Sequence, residues 1–159
     1  MNCHEPEKLR QILIWIGVAN QLTTTRFDRL MNESSLPLPQ FTMLNHFSRN
    51  PAQSYTVTQL ASAFQANQPA MTKTVQHLLE KGYLDFQISQ EDKRVKFHSI
   101  TAAGLAAHQQ AIARIDPDAQ MIFAEWSTEE IETLHKSLFR LKNWLDDRRD
   151  TVASSQNEI

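Results

Sequence analysis

Glycine is scarce: three residues in 159, none of them in a loop pattern that could cradle a phosphate. Cysteine is scarcer. Cys3 is alone, which excludes an intramolecular disulfide and any paired-cysteine metal motif, and agrees with a reducing compartment. No apolar run approaches the roughly 18 residues that a membrane span needs, and the amino end lacks a basic segment followed by an apolar one. A cytoplasmic protein without membrane partners is the expectation. The chain also lacks a G-x-S-x-G elbow and an H-E-x-x-H helix, so no enzyme is expected. Its six histidines, His4, His46, His77, His98, His108 and His135, show no close metal-ligand spacing. No metal and no cofactor is called for.

With 41% hydrophobic and 21% charged residues, the chain has the means for one domain with a real core. The net charge of −2 hides a small asymmetry. Between Gln68 and His98 the basic residues Lys73, Lys81, Lys93, Arg94 and Lys96 outnumber the acidic Glu80, Asp85, Glu91 and Asp92 by one. Affinity for phosphate depends on where charge lies rather than on the total.

The scarcity of glycine and of strand-like alternation before residue 83 reads as mainly α with one small β-hairpin. A first helix is predicted from Pro6 to Met31, where Leu9, Ile12, Leu13, Ile16 and Ala19 recur at helical spacing. A connector from Ser34 to Pro39 follows, and the next helix starts near Pro39 with Phe41, Leu44 and Phe47 inward. Thr56 and Gln59 have the spacing of a capping box and open a short helix with Val57, Leu60, Ala61 and Phe64 inward. Ala66, Asn67 and Gln68 make a turn in which Asn67 or Gln68 caps a further helix that tolerates Pro69 in its first turn. Two short helices across a tight turn are a helix-turn-helix.

In the second of these, Met71, Val75, Leu78 and Leu79 form an apolar stripe, with Thr72, Lys73, Gln76 and His77 facing the other way. Gly82 suits a left-handed helix end. Tyr83, Leu84, Phe86 and Ile88 lead into a polar turn, Ser89 to Lys93, and the chain returns from Arg94 to Ile100 with Val95 and Phe97 alternating against Lys96 and His98. Thr101 caps a helix that ends or kinks at Pro117. A last helix opens on a second capping box, Ser127 with Glu130, and carries Ile131, Leu134, Leu138, Leu141 and Leu145 three and four apart, a narrow seam suited to helix pairing. The polar residues 150–159 read as a disordered tail.

The order of these signals identifies a family. "VTQLA", "MTKTV", "LLEKGYL", "EDKRVKFHSIT" and "AAG" stand in register across about 49 residues, Thr56 to Gly104, and that stretch resembles the DNA-binding core of the MarR family of bacterial regulators. The resemblance implies a single domain over 1–149: a winged helix-turn-helix at 36–100, and dimerisation helices at 6–31 and 101–148 that interleave in a homodimer. Pro117 departs from the family's pattern, in which the fifth helix continues. The apolar content of the first and last helices independently exceeds what a winged domain of about 50 residues could cover.

The implied function is a regulator of transcription, a repressor bound to a near-palindromic double-stranded DNA operator. Short polar side chains on a helix in the major groove can read base edges. Thr72, Lys73, Gln76 and His77 offer that face, with Gln68 and Thr74 near the helix start. The family's Asp-x-Arg pattern falls on Asp92 and Arg94; it implies an arginine in the minor groove, oriented by the aspartate, where a planar guanidinium held in one direction gains more than a mobile lysine. Lys93 and Lys96 add phosphate contacts. Family members respond to small, frequently aromatic or phenolic effectors, for which Trp15, Phe27, Phe41 and Phe47 are the candidate lining. Two alternatives remain: a winged-helix protein-interaction module, and a thiol-responsive regulator using Cys3.

Overall fold

The computed structural model describes residues 5–31 and 36–148. Cys3, Ser34 and the tail from Asp150 lie outside the described residues. The first helix, α1, spans Glu5–Met31. Its last turns pack inward, with Met31 buried and Phe27 and Leu30 half-buried against the core, whereas Leu9, Leu13, Trp15 and Leu22 are exposed. Helix α2, Leu38–Ser48, starts at Pro37, whose carbonyl accepts from the Gln40 and Phe41 amides. Pro39 sits in the first turn, where a missing N–H costs nothing. Met43, Leu44 and Phe47 of α2 are among the most deeply buried side chains.

Helix α3, Val57–Phe64, opens on the expected capping box: Thr56 Oγ1 accepts from the Gln59 amide at 3.2 Å, and Gln59 Oε1 accepts from the Thr56 amide at 2.8 Å. It closes at Gln65 with φ 49°, a left-handed residue that is not glycine and that no glycine signal announced. Asn67 then caps α4, Gln68–Glu80, by accepting from the Ala70 amide at 2.9 Å. Met71, Val75 and Leu78 are buried and Leu79 is half-buried, as the stripe predicts. Gly82 takes φ 70°, and the amides of Gly82 and Tyr83 return to the carbonyls of Leu79 and Leu78. That is a Schellman ending.

Strand β1, Leu84–Ile88, pairs antiparallel with β2, Lys96–Ile100, in the register Leu84↔Ile100, Phe86↔His98, Ile88↔Lys96. The register puts Lys96, His98 and Ile100 on one face with Leu84, Phe86 and Ile88. The expected alternation of Val95 and Phe97 against Lys96 and His98 is present, but the buried member is the histidine: His98 is 3% exposed and Phe97 is half-buried. The reason lies upstream. Tyr55 exchanges both backbone hydrogen bonds with His98, at 2.9 and 2.8 Å, so a one-residue bridge lays the loop before α3 along β2.

Thr101 donates to the Gly82 carbonyl at 2.7 Å and accepts from the Gly104 amide at 3.0 Å, tying the end of α4 to the start of α5, Ala102–Ile122. Gly104 must be glycine here. A Cβ at that position would run into the Tyr83 carbonyl and the Ile100 side chain. Helix α5 runs through Pro117, although the proline takes the donor from the Ala113 carbonyl one turn back, so the helix does not end there. Pro117 also marks the division of the chain into two compact units, Met1–Pro117 and Asp118–Ile159.

Among the described residues, the first unit holds every buried core residue, a cluster gathered from α1 through α5 around Phe47, Leu44, Leu60 and Leu78. The second contains α6, Thr128–Asp147, capped by Ser127 and Glu130 as the spacing predicts. No residue of α6 is buried, and Ile131, Leu138 and Leu145 of its apolar seam are exposed.

Candidate nucleic-acid interface

Helix α4 is held from behind by its apolar stripe, which leaves the opposite side to polar residues. Thr72, Lys73 and Gln76 are exposed there, and His77 is half-buried at the margin. Gln76 Nε2 donates to Glu80 Oε1 at 3.1 Å, one turn further along, which steadies the amide on the helix surface. Thr74 does not join this face. At 100° per residue it lies past His77, and its hydroxyl donates to the Ala70 carbonyl at 3.1 Å, turning the side chain toward the protein.

Gln68 reaches away from the α4 axis to the start of α3, where its Nε2 donates to Thr58 Oγ1 at 3.1 Å. This bond carries the polar surface from α4 to α3. From there a cleft of about 290 Å³ continues to the wing, with Thr56, Val57 and Thr58 on one side and Arg94, Val95, Lys96 and His98 on the other. The first-turn amides of α3 point out of the helix end and carry its positive dipole. Together with Arg94 and Lys96 they give the cleft an electropositive rim suited to phosphate oxygens. Thr58 and the α3 amides were absent from the residues expected at the site; the capping box at Thr56 was the signal that could have found them.

The turn between the strands is built before Arg94 is placed. Ser89 Oγ accepts from the amides of Glu91 and Asp92, the Ser89 amide donates to the Val95 carbonyl, and the Val95 amide donates to the Asp92 carbonyl at 2.9 Å. Asp92 then accepts from the Arg94 backbone amide at 2.9 Å and from its guanidinium at 3.3 and 3.5 Å. These bonds, the backbone one foremost, hold the Asp92 carboxyl below the usual carboxylate range, so it stays ionised. Arg94 is nevertheless 91% exposed. A guanidinium both oriented and bare is an uncommon surface arrangement, since an exposed ion pair by itself contributes little stability.

Lys93 is exposed at the hairpin end, and Lys96 Nζ stands 4.3 Å from the centroid of the Phe86 ring. That cation–π contact directs Lys96 along the face that also carries His98. Burial, with Lys96 adding to it, lowers the His98 pKa, so the ring is neutral at pH 7; its Nδ1 has no hydrogen-bond partner.

The four aromatic residues expected around an effector are not brought together. Trp15 is exposed on α1, and Phe47 is fully buried in the core, where it supports Tyr55 at 5.3 Å rather than lining a pocket. Phe27 and Phe41 do meet, at 5.1 Å, and Phe41 stacks on His108 at 5.5 Å. His108 Nε2 lies 3.2 Å from Asn45 Oδ1, so this cluster links α1, α2 and α5. Among the described residues no group of three or more His, Cys, Asp or Glu side chains could hold a metal ion, and no helix is long and apolar enough to cross a membrane.

Residues 34–95, from the connector before α2 to the wing, match the model of the MarR family. The family match falls on the winged-helix core. Solved structures extend the likeness of fold beyond that core. A MarR protein from Peptoclostridium difficile superposes with a TM-score of 0.73 at 23% identity, over 86% of this chain and 88% of that one. A MarR family transcription regulator gives 0.75 at 19%, over 94% and 97%. A cysteine-to-serine mutant of MarR from E. coli, complexed with operator DNA, gives 0.69 at 19%, over 89% and 99%. No curated protein matches the chain significantly. The fold is thus that of MarR-family transcription regulators, and the sequence resemblance read over Thr56 to Gly104 lies on the wing and helix-turn-helix that carry it.

Proposed function

We propose that this chain binds double-stranded DNA sequence-specifically, as a homodimeric repressor on a near-palindromic operator. The observation that carries the reading is Arg94, fixed by Asp92 through three hydrogen bonds yet open to solvent. A guanidinium prepared in this way loses little freedom on entering a narrow minor groove, where the negative potential is concentrated. Thr72, Lys73 and Gln76 read the adjacent major groove, with Gln76 suited to adenine and Lys73 to guanine or phosphate. Gln68, His77, Lys93 and Lys96 flank them as positioning contacts to the backbone. Thr74 contributes by packing.

The homodimer is supported by apolar surface that its own chain leaves uncovered: Leu9, Leu13, Trp15 and Leu22 on α1, and Ile131, Leu138 and Leu145 on α6. An effector acts by favouring a dimer in which the two reading helices no longer match the half-site spacing. The Phe27, Phe41 and His108 cluster stands where α1 and α5 meet the winged core and is the place for an aromatic or phenolic ligand.

Footprinting on the region upstream of the protein's own gene tests the reading. Two protected half-sites centred about 10 base pairs apart are expected, the spacing that a two-fold pair of reading helices imposes. Absence of protection anywhere in that region, with folded protein in excess, would refute autoregulation by this mode. Sedimentation at micromolar concentration is expected to give the mass of a dimer.

A further inference from the structure

Helix α4 has one acidic residue, Glu80, at its last position. The place is unfavourable twice over. A carboxylate in the last turn faces the negative end of the helix dipole, and this one stands on the side that DNA phosphates would approach. Glu80 follows Gln76 by four residues and Lys73 by seven, so at 100° per residue it returns to within about 40° of both. Its carboxylate is engaged by Gln76, whose Nε2 donates to Oε1 at 3.1 Å while both residues remain exposed.

The contact fixes the sense of the amide. An ionised carboxylate accepts and does not donate, so turning the amide over would set oxygen against oxygen. Gln76 therefore faces Glu80 with its nitrogen, and its oxygen is left to point elsewhere. One of the two amide hydrogens is held. The other, beside Oε1, is left for a base. Adenine offers a donor at N6 and an acceptor at N7, which that oxygen and that hydrogen match as a pair; guanine offers two acceptors, O6 and N7, which would need both hydrogens.

We propose that Glu80 is a positioning residue that sets the base preference of Gln76, holding its amide in the sense that pairs with adenine and not with guanine. Its charge lowers the affinity for every duplex, and its hydrogen bond widens the difference between duplexes. Such a contact is weak on a helix in water and stronger, as a charge-assisted bond, once water leaves the groove. The inference rests on the DNA-binding reading above and deepens it.

Full-length wild type, Gln76→Ala, Glu80→Gln and Glu80→Ala are each used to select sequences from a pool of random double-stranded DNA. Affinities for the selected and for random duplexes are then measured by fluorescence anisotropy at fixed salt. The position at which Gln76→Ala loses the wild-type base preference is the one Gln76 reads, and adenine is expected there. Both Glu80 variants are expected to relax that position alone, lowering the preference for adenine over guanine roughly threefold. Both are also expected to bind random duplex more tightly than the wild type, which a loss of structure would not produce. Glutamine and alanine are good helix formers and Glu80 is exposed, so the helix is kept. Adenine preference retained in both Glu80 variants, selectivity lost equally at all positions, or guanine preferred where Gln76 reads would overturn the role of Glu80. Selection by the wild type in which Gln76→Ala changes no position would overturn it too, while leaving DNA binding in place. A wild type that selects no sequence would instead refute the DNA-binding reading, and this inference with it.

Discussion

Helices α3 and α6 start with the same device and have opposite fates. Thr56 with Gln59 and Ser127 with Glu130 form capping boxes of the same pattern, yet α3 buries Leu60 and Ala61 while α6 buries nothing. The cap fixes where each helix begins. What each helix needs afterwards is set by its apolar face, and α3 finds cover within the chain whereas Ile131, Leu138, Phe139 and Leu145 of α6 remain exposed. The difference separates a core complete in itself from a helix whose apolar face the chain leaves uncovered.

Truncation should divide the two regions most sharply. Phe47→Ala, in the fully buried α2 position, is expected to cost about 3–5 kcal/mol in chemical denaturation at any protein concentration. Phe139→Ala, at a position 60% exposed, should change monomer stability by less than about 0.5 kcal/mol. Leu138→Asp should lower the apparent stability only at concentrations where the wild type associates, since mass action stabilises the associated form. A concentration-independent loss for Leu138→Asp would place α6 in a chain that folds without a partner.

Acid should weaken the core before it reaches the cap of α6. Burial lowers the pKa values of His46, His98 and His108 from an ordinary 6.5, with the nearby Arg49 adding to the effect at His46 and Lys96 at His98. The unfolded chain then binds more protons than the folded one, so stability is full above about pH 6.5 and falls as the pH drops below it. Glu130 is shifted the same way from an ordinary 4.5, chiefly by the Ser127 backbone amide. Its contribution is present above that value and is lost only as the pH falls below it. Unfolding curves followed by near-ultraviolet and far-ultraviolet dichroism from pH 7.5 to 4 check the order. The caps lie between Phe47 and Phe139 in size: Thr56→Ala and Ser127→Ala should each cost about 1 kcal/mol.

Much of this was legible in the sequence because it is local. Caps at Thr56, Asn67 and Ser127, the left-handed Gly82 and the stripe of α4 depend on neighbours within four residues, and each stands where the spacing put it. One difference involves a partner far along the chain. The alternation of Val95 and Phe97 against Lys96 and His98 does not show that His98 is the buried member, because nothing in β2 tells that Tyr55, 43 positions earlier, pairs with it. Phe47 resembled a pocket aromatic because helical spacing cannot distinguish the centre of a core from its edge. Thr74 was close in sequence to the reading residues but lies on another side of α4, and its hydroxyl had a carbonyl of its own to bond. Pro117 left an end or a kink open, and the helix continues past it.

Arg94 and the polar face of α4 are proposed to act on one stretch of DNA. The direct measurement is a fluorescence-anisotropy titration of upstream operator DNA with the wild type and with Arg94→Ala at fixed salt. The account predicts a loss of about 1–3 kcal/mol in binding, the scale of one good specific contact, with the dimer and its unfolding midpoint unchanged. An Arg94→Ala protein that binds the operator as tightly as the wild type would contradict it.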